Sequence, residues 1–211
     1  LQRDWLDQAL QGADTAARAG HSDALMHLTA ARDLAPDIEN WLLVQTQVLA
    51  SCRSNRKRFL NELTLLEQHA PAARMPSPLR ISVTTFVLWQ RALAYANEPV
   101  RATDMWQRML EQHGEELIGA DSVATLAEAA INDLIQMHGK AAYASISTRA
   151  DEALTNAGDS ADALQALTQR YPNSDAARRA GLVQRCAAPA AAPIGASRPT
   201  GRPASPGGEG P

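Results

Sequence analysis

The sequence predicts an all-α protein built of antiparallel helical hairpins, and three observations carry that expectation. Hydrophobic residues make up 45% of the 211 residues and aromatics only 4%. Ala and Leu dominate that apolar fraction, and they favour helices over strands. Apolar residues recur at helical spacing between clear turn signals. No segment alternates convincingly between apolar and polar residues, and no Asn-Gly or Asp-Gly dipeptide marks a tight hairpin.

The elements follow in order. A first helix is expected over 3–19 and stops at Gly20, a natural C-cap residue. Ser22 offers the next N-cap, with Asp23 at the positive end of the dipole. Leu25, Leu28, Ala31 and Leu34 then recur until Pro36 closes the segment. Asp37 caps a helix bearing Trp41, Leu42, Val44, Val48 and Leu49. A break at Ser54 and Asn55 precedes Phe59, Leu60, Leu63 and Leu66, and that helix ends before Pro71. Three prolines make 70–78 the clearest internal loop.

The stretch 79–95 reads as a helix apolar on two sides, with Val83, Phe86 and Leu93 on one and Leu88, Trp89 and Ala92 on the other. Such a helix is buried between neighbours. Pro99 suits the first turn of the following helix, which holds Val100, Met105, Trp106, Met109 and Leu110 and gives way at His113 and Gly114. The cleanest period is Val123, Leu126, Ala127, Ala130, Ile131, Leu134 and Ile135, capped by Asp121 or Ser122 and ended by Gly139. Further helices are expected over 141–157, 161–171 and 175–185. Connections this short force neighbouring helices to pair.

Two units carry a repeat pattern. In 12–36, Gly12, Gly20, Ala24, Leu28, Ala31 and Pro36 supply small residues at a helix crossing, a large apolar residue and a closing proline. In 160–180 the corresponding residues are Ala163, Leu164, Leu167, Tyr171, Pro172, Asn173, Ser174 and Ala177. Both units resemble tetratricopeptide repeats, and the second resembles those of bacterial envelope proteins such as the periplasmic Tol-Pal coordinator and outer-membrane assembly lipoproteins. The order of helices over 102–182 is similar to the helical segment of large bacterial proteins that also carry PQQ-like β-propeller repeats. These resemblances imply a tetratricopeptide-like right-handed solenoid, a module of a longer chain, and a location in the bacterial envelope or periplasm. No propeller blade is visible, and 40–97 matches no such unit.

Composition and charge exclude several classes. The chain carries 20 Lys+Arg and 23 Asp+Glu, a formal net charge of -3. That balance gives no global basic excess for a dedicated nucleic-acid binder. Two cysteines, Cys52 and Cys186, cannot staple a disulfide-rich scaffold. The most apolar stretch, 81–89, is about half of what a bilayer requires and is flanked by Arg80 and Arg91, so no membrane span is expected. The chain starts at Leu1 without Met or leader, which is the look of a fragment or a processed product. Residues 1–185 form the expected helical-repeat domain, with a candidate subdivision near 70–78. Residues 186–211 are rich in Ala, Pro and Gly and are expected to be a disordered tail. An alternative is that the natural reading frame ends near Arg185.

No catalytic, cofactor-binding or metal-ligating set is found, and no cofactor is expected. His21, His27, His69, His113 and His138 lie outside any zinc spacing, and three of them stand at expected helix ends. Cys52 and Cys186 read as small buried or incidental thiols. Phosphate-binding loops and nucleophile elbows are absent from the sequence. Arg53, Arg56, Lys57 and Arg58 form the only dense basic run, able to meet a phosphate or an acidic partner or simply to solvate a helix start. Glu111, Glu115, Glu116 and Asp121 read as a wet acidic turn. Trp5, Trp41, Trp89 and Trp106 fall on apolar faces as packing residues. Three functions follow: a non-catalytic protein or peptide scaffold, a spacer joining other domains such as a propeller, or an enzyme whose residues converge only in space.

Overall fold

Helix follows helix because each start is capped and each stop is punctuated. In the computed structural model, residues 11, 12, 15 and 24–187 are described. Nine α-helices occur among them: α1 (Ala24–Asp33), α2 (Ile38–Cys52), α3 (Arg56–His69), α4 (Val83–Ala94), α5 (Pro99–His113), α6 (Val123–His138), α7 (Ala144–Ala157), α8 (Ala161–Arg170) and α9 (Asp175–Ala187). Most of the expected helix over 3–19, the part of the repeat unit over 12–36 that precedes Ala24 apart from Gly12 and Thr15, Trp5, His21 and the tail beyond 187 lie outside the described residues. The chain is all-α in class.

The caps are the polar residues that sequence position suggests. Asp37 accepts from the Asn40 N–H at 2.8 Å, Asn55 from the Arg58 N–H at 3.1 Å, and Ser122 from the Thr125 N–H at 3.1 Å. Each supplies an acceptor to a backbone donor that has no partner within the helix. Helix α5 has no side-chain cap and begins instead with Pro99, whose missing N–H costs nothing at that position. Gly139 ends α6 with φ of 79°, a conformation that other L-residues rarely adopt.

Two expectations are corrected. The helix expected from Leu79 starts at Val83. Ser82 caps it, accepting from the Thr85 N–H at 3.1 Å. The residues before it form a strap: the Met75 N–H donates to the Ile81 carbonyl at 2.8 Å, and the Val83 N–H to the Ala73 carbonyl at 3.0 Å. Second, the chain is not free of strand. A two-residue hairpin pairs β1 (Leu117–Ile118) with β2 (Asp121–Ser122), antiparallel. Its turn is Gly119–Ala120, and only Gly119 takes a positive φ, 68°. That is the pattern of a type II′ turn, which asks for Gly at the first central position rather than for Asn-Gly.

The core is continuous but has distinct parts. Leu28 and Ala31 of α1 meet Val44 and Val48 of α2. Trp41, Leu49, Phe59, Leu63, Phe86 and Val87 form a core shared by α2, α3 and α4, closed by Met75 and Ile81 from the strap. The other face of α4 gives Leu88 and Ala92 to a larger core that runs through Trp106, Met109, Ile131, Ile146 and Leu164 to Ala180 of α9. Helix α4 is therefore apolar on two faces because it serves two cores. Trp89 and Ile118 pack against both. Leu93, read as a buried face residue, is instead 42% exposed near the end of α4.

Each helix from α1 to α6 packs on its chain neighbour. A 3₁₀ turn (Lys140–Tyr143) then follows, packed on α5 and α6. Helices α8 and α9 form a hairpin, and α7 packs on both. In that hairpin Leu164, Leu167, Tyr171, Ser174 and Ala177 are buried. Ser174 donates to the Tyr171 carbonyl at 2.8 Å and accepts from the Ala177 N–H at 2.9 Å, so it joins the end of α8 to the start of α9.

Candidate functional site

Two polar side chains on apolar stripes organise the molecule. Gln45 lies among Trp41, Val48 and Cys52 on α2 and is fully buried. Arg32 of α1 donates to its amide oxygen at 2.9 Å and to Glu62 of α3 at 2.7 Å. The Gln45 amide donates to the Glu62 carbonyl at 3.1 Å. One hydrogen-bonded unit thus ties three helices, as burial of a charged pair demands.

Gln107 is the counterpart on α5. It is fully buried, beside Thr103, Trp106 and Leu110 on the helix's apolar stripe. Its amide N–H donates to the Arg170 carbonyl at 2.6 Å and to Glu111 at 3.1 Å. Its amide oxygen accepts from the Tyr143 hydroxyl at 3.1 Å. Burial, with the negative charge of Glu111, pushes the Tyr143 phenol well above its ordinary range. Glu111 in turn receives Arg170 at 3.1 Å, and this bond holds the guanidinium firmly charged.

These links set the walls of a groove of about 690 Å³. It runs between α5, α6 and α8, with Glu111, Gln112, Glu115, Glu128, Gln169 and Arg170 as its polar lining and Leu110 among its apolar residues. Three carboxylates face one guanidinium, so the groove is acidic. Gly114 sits at its edge: a Cβ there would lie 2.9 Å from the Leu110 carbonyl oxygen and 3.3 Å from the Ala124 side chain. A second cleft of about 440 Å³ lies between α3, α4 and α5, lined by Leu60, Leu88, Arg91, Tyr95, Met105 and Arg108 among others.

The expected acidic turn proves structural in part. Glu116 accepts the Ser82 backbone N–H at 2.7 Å and His113 Nδ1 lies 3.4 Å from its other oxygen. Burial pushes this carboxyl up, but the Ser82 N–H and hydroxyl, the Thr85 hydroxyl and the His113 charge outweigh it and hold its pKa below the usual value. Glu111 and Glu115 line the groove instead.

The remaining singled-out residues are scattered. His69 is in the last turn of α3 and stacks on Trp41 with ring centroids 4.3 Å apart. His113 and His138 are also in last turns, and His27 is exposed on α1. Cys52 is buried, and burial followed by the Glu62 charge raises its thiol pKa. No group of three His, Cys, Asp or Glu able to hold a metal occurs among the described residues. No helix there is long and apolar enough to cross a membrane. Trp41 and Trp106 are buried.

The basic run caps the turn between α2 and α3, with Arg56, Lys57 and Arg58 in the first turn of α3. A small cleft of about 200 Å³ opens beside it, lined by Arg53, Arg56, Phe59, Gln90, Leu93 and Ala94. Gln107, Tyr143, Arg170 and Glu128 were not singled out by sequence. The one signal present was a glutamine on an apolar stripe.

Comparison with known proteins finds no matching family model, no matching characterised protein and no matching solved structure.

Proposed function

We infer that this chain is a non-catalytic helical scaffold that binds a protein or peptide in the groove between α5, α6 and α8. The observation that carries the reading is the groove itself: three helices, from distant parts of the chain, line about 690 Å³ of mixed polar and apolar surface. Its walls are held from behind by Gln107, Tyr143 and Arg170, so it is preformed and costs little ordering on binding. In this reading the hairpins stack as a tetratricopeptide-like right-handed solenoid within a larger bacterial protein. The α8–α9 hairpin, with small Ala177 and Ala180 buried at the crossing, supports that stacking. Glu111 is engaged by Arg170 and Gln107, and Tyr143 behind the groove by Gln107, which supports a binding role for these two groups; Glu115 and Glu128 also line the groove.

Site-specific photocrosslinking tests the reading. A benzophenone side chain at Gln169, in the groove, should capture a discrete partner in lysate of the source organism. The same group at exposed Glu152 of α7 should not. Equal capture at both positions, or none at Gln169, overturns it.

A further inference from the structure

The basic turn lies at the N-terminal end of α5, whereas the acidic groove begins at its C-terminal end. Residues 53–58 and 95–101 together carry five cations, Arg53, Arg56, Lys57, Arg58 and Arg101, against the single carboxylate of Glu98. Glu98 is shared: Arg56 binds one oxygen and Arg101 the other, at 2.8 Å for Arg101. Both guanidiniums also lie over the Tyr95 ring, at 5.0 and 5.5 Å from its centroid. That cluster is internally satisfied. Arg53, Lys57 and Arg58 are exposed and make no ion pair among the described residues. Elsewhere Arg32, Arg91, Arg108 and Arg170 are each matched to a carboxylate, while Arg74, Arg80 and Arg185, also without an ion pair among the described residues, are isolated in sequence rather than clustered.

This placement works against the fold. The first turn of α3 holds no acidic residue and three cations, the wrong sign for the positive end of a helix dipole. Neighbouring like charges add to the cost. Glu98 relieves it at Arg56 alone; Lys57 and Arg58 have no such partner among the described residues. Beside this turn lies the 200 Å³ cleft, whose apolar lining is Phe59, Leu93 and Ala94. Leu93 is 42% exposed at its rim. Arg53 and Arg56 are the cations that line the cleft, and Lys57 and Arg58 stand in the adjoining first turn of α3; this cationic turn beside a small apolar cleft matches a ligand that combines carboxylates with one apolar side chain.

We propose that the α2–α3 turn docks an acidic peptide segment, one apolar side chain entering the Phe59–Leu93–Ala94 cleft and its carboxylates meeting Arg53, Lys57 and Arg58. A polynucleotide is the poorer fit. The Tyr95 ring beside the patch is already covered by two guanidiniums, Phe59 is buried and offers no open face for a base, and the whole chain carries a net charge of -3. This site is separate from the α5–α6–α8 groove.

The test uses fluorescence anisotropy with a labelled peptide of glutamates around one central leucine. The intact protein should bind it saturably. Arg53→Glu with Lys57→Glu should weaken binding about ten-fold or more, since two attractive pairs become repulsive. Leu93→Ser, or a glycine in place of the peptide's leucine, should weaken it several-fold. Glu128→Gln, in the distant groove, should leave it unchanged. Lys57→Glu should raise the Tm of the free protein by roughly 1–3 °C, because it corrects the dipole mismatch. That gain in stability with loss of binding separates a binding role from a folding role. The proposal fails if the intact protein does not bind the peptide, or if binding survives the double charge reversal. It also fails if an oligonucleotide of equal charge binds more tightly and is lost with the same variants. Crosslinking at Gln169 reads the other site, so the two readings fall independently.

Discussion

Replacing Gln107 by Leu keeps the volume of the side chain and removes its hydrogen bonds. Gln107 is fully buried and makes three bonds: to the Arg170 carbonyl, to Glu111 and from the Tyr143 hydroxyl. Glu111 keeps Arg170 as a partner, and Arg170 is an exposed residue whose carbonyl can turn to water. Tyr143 is only 2% exposed, so its hydroxyl is orphaned. Two ordinary bonds at about 1 kcal/mol each, plus about 1–3 kcal/mol for the stranded hydroxyl, less the gain from a buried Leu, give a loss of about 2–4 kcal/mol. Tyr143→Phe alone strands the Gln107 oxygen and costs about 1–2 kcal/mol. In the Gln107→Leu, Tyr143→Phe double variant neither group is stranded, so the two losses should fall short of their sum by about 1–2 kcal/mol. Urea unfolding followed by circular dichroism on the four proteins reads this coupling. Additivity within about 0.5 kcal/mol would refute the account, because it would mean that the bond does no structural work.

Three further outcomes follow from the buried groups. Tyr143 is held protonated above its unfolded value of 10.0, so its contribution to stability is complete below that pH and is lost as pH rises beyond it; Tyr143→Phe should flatten the alkaline limb of a pH-dependent urea titration. Glu116 has the opposite sign: its folded pKa lies below the ordinary 4.5, so stability is present above that value and is lost as pH falls through the folded pKa, and Glu116→Gln should flatten the acid limb in the same titration. Glu62→Ala should cost about 1.5–3 kcal/mol by removing the partly buried partner of nearly buried Arg32, which keeps the exposed Asp33 at 3.1 Å, while Arg32→Met with Glu62→Leu should recover much of that loss in urea unfolding.

Local features were legible in the sequence because helix chemistry is local. Asp37, Asn55 and Ser122 cap the helices they precede, and Pro99 and Gly139 punctuate as their backbone preferences require. The basic run falls on a helix start, as its residues suggest. The start of α4 was misplaced by four residues, because the apolar residues Leu79 and Ile81 continue the pattern while a strap and the Ser82 cap govern the backbone there. The short β1–β2 hairpin went unseen because its turn is Gly119–Ala120, a weaker sequence signal than Asn-Gly.

By itself, then, the sequence determined the all-α class, the order of the helices among the described residues and several of their caps, since a 3.6-residue period and a capping oxygen act within one turn of chain. Only the tertiary structure decided that α4 serves two cores and that Glu116 braces the start of α4 while Glu111 and Glu115 line a groove. It alone brought Gln107 to the Arg170 carbonyl, 63 residues away. The physical reason is that a buried glutamine on an apolar stripe announces a need for partners, but the identity of those partners depends on which helices meet.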